Sequence, residues 1–258
     1  MSARVLPAHE PAAIEEAAAV LRRGGLVAFP TETVYGLGAD AFDPRAVARV
    51  FEVKARPSFD PLIVHLADAA DLSRVSPALD PRVSALAAQF WPGPLTLVLP
   101  KQPCVPDVVT SGGATVALRA PAHPLARRLL RLARIPLAAP SANLFGYISP
   151  TEAAHVVDGL GRRIKHVLET SIDGIEVFGA LVGHPLTVFH DPCRGIPGAP
   201  PKHDLYRRII KLNDYIGKIP DPEKGVPLIV IVEFCIIGTK LPIPFGTAGH
   251  DPFRDVRR

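Results

Sequence analysis

Gly24-Gly25-Leu26-Val27-Ala28-Phe29-Pro30-Thr31-Glu32-Thr33-Val34-Tyr35-Gly36-Leu37 changes character halfway along. Its first half is short and apolar, with glycine before it and proline after it, which predicts a buried strand over Leu26–Phe29. Its second half is dense in hydroxyls, at Thr31, Thr33 and Tyr35, and Gly36 and Gly38 follow at once. A polar cluster at the end of a buried strand is where α/β proteins place ligand sites. The same composition also suits a Thr/Gly turn that only reverses the chain.

Working outward, residues 10–23 read as a helix. Pro11 suits a first turn, Glu15 and Glu16 lie early, Arg22 and Arg23 lie late, and Gly24-Gly25 ends it. A second helix is expected over about 44–55, with Val47, Val50 and Phe51 at spacings of 3 and 4. It runs into Lys54-Ala55-Arg56-Pro57, where the residue before proline is pushed out of the helical region. Two cations are thus presented at a helix end, a pattern that also serves to complement the helix dipole.

Leu62–Leu66 reads as a strand broken by His65, and a lone strand histidine is first of all a core residue. Residues 68–75 and 81–90 read as helices, the second stopped by Trp91-Pro92-Gly93-Pro94. Leu95–Leu99 and Thr115–Leu118 are further strands, joined by a Pro/Ser/Thr/Gly loop over 103–113. His123–Ala133 is a periodic helix with Arg127, Arg128 and Arg131 facing water. Leu137-Ala138-Ala139 is a short strand, and a helix follows over about 151–160. Strands alternating with helices argue for an α/β domain.

The 258 residues hold one large domain, or one domain and a smaller module. With 48% apolar and 21% charged residues the chain should fold into a globule, and a formal charge of +4 suits anionic ligands such as nucleotides. Cys104, Cys193 and Cys235 lie far apart with no CxxC pair, which indicates neither a zinc knuckle nor a disulfide framework and suits a reducing cytosol. No secretory leader is recognisable, and the apolar run Val226–Ile237 is shorter than the roughly 20 residues a bilayer requires, so it reads as a buried strand pair. There is no P-loop, no G-x-G-x-x-G and no H-E-x-x-H. Near residue 164 the composition shifts: Lys54 and Lys101 precede that point, Lys165, Lys202, Lys211, Lys218, Lys224 and Lys240 follow it, and isoleucine replaces alanine. Such a break marks a second domain, a foreign segment or a reading-frame accident. Within it, 197–201 reads as a linker and 204–216 as a helix.

Six segments together resemble the YrdC-type domain of L-threonylcarbamoyladenylate synthases. They are the Gly25 to Gly36 stretch, Lys54-Ala55-Arg56-Pro57, Pro61-Leu62-Ile63-Val64-His65, Trp91-Pro92-Gly93-Pro94-Leu95-Thr96, Val116-Ala117-Leu118-Arg119-Ala120-Pro121 and Pro140-Ser141-Ala142-Asn143. The resemblance implies a twisted mixed sheet with flanking helices over residues 10–200, the part from 165 to 200 divergent, followed by an extension over 201–258. It implies that threonine, bicarbonate (or carbon dioxide) and ATP give threonylcarbamoyl-AMP and pyrophosphate in the cytoplasm, with no membrane involved. The product would feed threonylcarbamoyladenosine formation at position 37 of tRNA through a separate transferase complex, tRNA itself being met indirectly or weakly.

By the same resemblance Thr33, His65, Arg119 and the backbone near Ala139 would hold threonine and its carbamate. Arg56, Asp60, Thr115, Ser141, Asn143, Ser149 and, late in the chain, Arg194 would line ATP, with Lys54 near the phosphates; Lys54 and Arg56 are the expected catalytic pair. Crowding a carboxylate, a carbamate and a triphosphate together needs fixed positive charge, and arginine's forked donors suit their oxygens. Mg²⁺ is expected to arrive on the ATP phosphates, with few or no protein ligands. Asp60 stands where many relatives carry Asn, and so calls for a metal or Arg56 beside it. After Arg163 the family's Gly-Gly-Pro-Cys-like turn and Glu-Ser-Thr-Val strand have no clear counterpart. Three other readings fit parts of this pattern: an RNA- or nucleotide-binding module, an inactive remnant with a replaced C-terminal part, and a carbamoyl-transfer enzyme of the hydrogenase-maturation type, which the cysteine spacing disfavours.

Overall fold

The structure, a computed structural model, describes residues 3–77, 80–169 and 229–232. The elements run β1 (Arg4–Pro7), α1 (Pro11–Arg22), β2 (Val27–Phe29), β3 (Gly36–Asp40), α2 (Pro44–Lys54) and β4 (Ile63–His65), then a 3-10 turn (Ala69–Arg74) and α3 (Pro81–Phe90). They continue with β5 (Leu95–Pro100), α4 (Asp107–Thr110), β6 (Thr115–Arg119), α5 (Pro124–Ala133), β7 (Leu137–Ala138), α6 (Ala153–Leu160), β8 (His166–Glu169) and β9 (Ile229–Val232). Among the described residues the strands form one mixed sheet in the order β1-β8-β2-β3-β7-β4-β6-β5-β9.

Local chemistry sets the helix ends. Asp43 caps α2 by accepting the Arg45 N–H at 2.9 Å, with proline at the first helical position. The α2 helix stops because Ala55 turns left-handed (φ 50°), one residue before the expected break at Arg56. His123 is the N-cap of α5, its Nδ1 accepting the Leu125 N–H at 3.1 Å.

Side-chain alternation divides the core into two layers. Val27, Phe29, Leu137, Ala139, Leu6 and Leu168 point to the face covered by α1 and α5. Ala28, Leu37, Ala39, Val64, Ala138, Leu118 and Val167 point to the other, covered by α2, α3 and α6. The α1/α5 cover stops short of the β4-β6-β5 side, where Ile63, Ala117 and Val98 stay half-buried on that same face.

Several expectations need correction. The Thr/Gly segment does not merely reverse the chain; Gly36–Asp40 returns as β3, antiparallel to β2. The strand β1 lies before residue 10 and pairs with β8. The compositional break near 164 is not an edge of the fold, since β8 lies after it and inside the sheet, parallel to both β1 and β2. The 103–113 loop contains α4. Arg127 does not simply face water: its Nε is buried. Of the expected 226–237 strand pair, Ile229–Val232 pairs antiparallel with β5. The 197–201 linker and the 204–216 helix lie outside the described residues.

Candidate functional site

Strand register lays the named residues out in rows on the incompletely covered face. His65 pairs with Arg119 on one side and Leu137 on the other, and the β5–β6 register sets Thr96 beside Arg119. The next row is Val98, Ala117, Ile63 and, by continuation, Ala139, whose N–H is bonded to the Ile63 carbonyl at 2.9 Å. Beyond it Thr115 pairs with Pro100, and the ladders bring Asp60-Pro61 and Ser141 to the same end. Four residues along β6 separate Arg119 from Thr115, about 13 Å at strand rise. The face therefore has a charged end, an apolar floor and a second polar end.

At the charged end the 31–35 turn is built by its own hydroxyls. Thr31 Oγ1 accepts the N–H of Thr33 and of Val34, both at 3.2 Å, and donates to the Val34 carbonyl at 2.6 Å. That turn delivers Thr33 Oγ1 to within 3.3 Å of Arg119 Nη2. It also delivers Glu32, on which the sequence reading placed no role. Arg119 Nη2 donates to Glu32 Oε1 at 2.7 Å, and the His123 N–H donates to Glu32 Oε2 at 3.2 Å. All three side chains are buried. Burial raises the Glu32 carboxyl, but the charge and hydrogen bond of Arg119 outweigh it and hold the group below the usual glutamate range. Burial pushes His123 down, only partly offset by Glu32, which leaves a neutral imidazole there. The one available signal for Glu32 was its place as a lone carboxylate in a turn expected to face an arginine. His65 is buried beside Phe29, the rings edge-to-face with centroids 6.2 Å apart.

The other end is organised by Lys54. Its ammonium is buried, 1% exposed, and donates to the Ser141 carbonyl at 2.5 Å and to the Asn143 carbonyl, while the Lys54 carbonyl accepts the Phe145 N–H at 2.8 Å. Asn143 turns its amide onto its own loop, donating to the carbonyls of Leu144 and Tyr147, both at 2.7 Å. Arg56 lies over the Phe145 ring, 5.8 Å to the centroid, and pairs with Asp60 Oδ2 at 2.8 Å. It also donates to the carbonyls of Asp60 and Pro61, both at 3.0 Å. The carboxylate at position 60 thus has its counter-charge from Arg56. Ser149 is half-buried beside Pro150, whose carbonyl accepts the Tyr35 N–H at 2.8 Å. Thr115 is exposed at the start of β6. Phe59, Phe145, Tyr147 and Ile148 are exposed around this end.

The structure therefore gathers Thr33, His65 and Arg119 at one end and Lys54, Arg56, Asp60, Thr115, Ser141, Asn143 and Ser149 toward the other, with Ala139 in the row between them. Arg194 lies outside the described residues. Among the described residues no three His, Cys, Asp or Glu side chains are grouped to hold a metal ion, and no helix is long and apolar enough to cross a membrane.

The profile of the Sua5/YciO/YrdC family, described as telomere recombination, matches residues 19–177. The chain is 51% identical over 156 residues to threonylcarbamoyl-AMP synthase of Pyrococcus abyssi, covering 60% of this chain and 46% of that one. It is 49% identical over 168 residues to the enzyme of the same name from Bacillus subtilis, covering 64% and 48%. The chain thus spans about half the length of these two relatives. For the shorter threonylcarbamoyl-AMP synthase of Halorhodospira halophila the identity is 36%, over 66% of this chain and 89% of that one. Among solved structures, P. abyssi Sua5 complexed with L-threonine superposes with a TM-score of 0.64 at 47% identity, covering 65% of this chain and 50% of that one. E. coli YciO, 22% identical with a TM-score of 0.58 over 66% of this chain and 84% of that one, shares the fold.

Proposed function

Since the chain belongs to the Sua5/YciO/YrdC family, we propose that it is a threonylcarbamoyl-AMP synthase acting in the cytoplasm, joining threonine, bicarbonate or carbon dioxide, and ATP with release of pyrophosphate. The observation that carries the reading is the row arrangement: Arg119 and His65 share one end of a partly open sheet face, and Arg56, Ser141 and Thr115 share the other. The threonine carboxylate is assigned to Arg119 and Thr33, and the triphosphate to the end marked by Arg56. The apolar floor of Ala117, Ile63 and Val98 lies between them, where the amine meets carbon dioxide or bicarbonate and the carbamate oxygen meets the α-phosphorus. Breaking the α–β phosphoanhydride bond at that point sends pyrophosphate toward Arg56.

No protein nucleophile is needed in this scheme; the gain comes from holding three anionic groups in line against fixed positive charge. Lys54 acts by fixing the Ser141–Asn143 carbonyls, and Arg56 by meeting the phosphates while its partner Asp60 holds it in place. Mg²⁺ is assigned to the nucleotide's own phosphates. A transferase complex then uses the mixed anhydride to modify tRNA.

The test is pyrophosphate release from ATP by the purified full chain, with and without L-threonine and bicarbonate. Release that depends on both is the expected result. A folded protein that binds ATP yet releases no pyrophosphate under any combination would sink the assignment.

A further inference from the structure

We propose that Glu32 is a positioning residue that fixes the Arg119 guanidinium for the α-carboxylate of the amino-acid substrate; this rests on the synthase reading of the charged end. Three observations carry it. The Glu32–Arg119 pair is made between two buried side chains, with side-chain exposure of 6% and 1%. Each Glu32 oxygen has its own donor: Oε1 takes Arg119 Nη2 at 2.7 Å, and Oε2 takes the His123 N–H at 3.2 Å. Finally, Thr33 Oγ1, one residue along the same turn, reaches the same Arg119 nitrogen at 3.3 Å.

A guanidinium on an exposed side chain samples many rotamers, and a substrate that binds it must first order it. Here the order is set before the substrate arrives, because the acceptor approaches Nη2 from a turn locked by Thr31. The bond from His123 ties the same carboxylate to the start of α5, so the turn, the end of β6 and the helix cap form one unit. Glu32 does not serve as the base that frees the threonine amine. Both its oxygens are engaged, and Arg119 favours its ionised form, which makes it a poor proton acceptor.

The assignment is tested by calorimetric binding of L-threonine and of ATP to the full chain, as wild type and as Glu32→Gln, Arg119→Gln and the double variant, with thermal melts beside each. Glu32→Gln is expected to weaken threonine binding about tenfold or more while ATP binding stays within about twofold. In the Arg119→Gln background the same change should cost threonine nothing further, since Glu32 acts only through Arg119. The double variant should melt above Arg119→Gln alone, because the uncompensated buried carboxylate is gone. Equal weakening of both ligands, unchanged threonine binding, or an added loss in the Arg119→Gln background would each overturn the assignment. Should Glu32→Gln fail to fold, Glu32→Asp keeps the charge, shortens its reach by one methylene and is read by the same criteria. A wild type that binds threonine without releasing pyrophosphate defeats the synthase reading alone. An active wild type whose threonine binding ignores Glu32 defeats this inference alone.

Discussion

Thr96 carries a fully buried hydroxyl that has no hydrogen-bond partner among the described residues, although it lies beside Arg119 in the β5–β6 register. A buried hydroxyl without a partner is destabilising, and valine has nearly the same shape without it. Thr96→Val should therefore stabilise the ligand-free chain by about 1 kcal/mol, read as a raised denaturation midpoint in urea. A lowered midpoint would show that the hydroxyl is satisfied in solution. Glu32 and His123 contribute to the acid side of the stability curve, beside Asp80, held low by its hydrogen bonds from Arg82, and His166, pushed down by burial. The Glu32 carboxyl is held below its usual range by Arg119 against the effect of burial, so its contribution is complete above about pH 4.3 and is lost as the pH falls through the lowered value. His123, depressed by burial, stays neutral in the fold while the unfolded chain takes up a proton near pH 6.5, so stability also falls as the pH drops below about 6.5. Urea titrations across pH should then show His123→Asn, which keeps a capping oxygen, flattening the upper limb, and Glu32→Gln flattening the lower one. A slope unchanged in His123→Asn would remove the buried imidazole from this account.

At the scale of elements, the helix ends and the strand carrying the site were legible for reasons the structure repeats. Proline in the first turn gave the start of α1, and short apolar runs gave β2, β4 and β5. What hid β3 is its composition: Gly36-Leu37-Gly38-Ala39-Asp40 has almost no β-propensity. Its conformation follows from packing instead, since a Cβ on Gly38 would come within 2.8 Å of the Phe29 ring. The resemblance named candidate site residues, but the local work each side chain does was not legible. From sequence Lys54 reads as a cation presented at a helix end; in the fold its helix buries the ammonium under the 141–143 backbone. Lys54→Met keeps the length and removes those donors, leaving two loop carbonyls without their charged partner. It should cost about 2–3 kcal/mol and weaken ATP binding more than threonine binding, because the carbonyls belong to the end proposed for ATP. Calorimetry with each ligand and a urea melt decide this; a stability change under half a kcal/mol would assign the loop's order to other contacts.

For the whole molecule, the sharpest disagreement between composition and fold concerns where the domain ends. Lysine and isoleucine content change near residue 164, yet the family profile continues to 177 and β8 begins at His166. Composition reports the surface as much as the core, whereas membership of a sheet is decided by a few inward side chains and a ladder of backbone bonds. Val167 and Leu168 are both fully buried and point into different layers, Leu168 with α1 and α5, Val167 with the opposite core. Leu168 also sits across the ladder from Leu6, so the strand after the break holds the N-terminal strand in place. If that strand belongs to the domain, Leu168→Ala in the full chain should cost roughly 2–5 kcal/mol, as a core leucine does, and Leu6→Ala a comparable amount. The two losses should fall short of adding in the double variant, since the side chains share one packing site. If the domain ended at the compositional break, Leu168→Ala would leave the urea midpoint unmoved while Leu6→Ala still lowered it. That pattern would return β8 to the status of an appended segment.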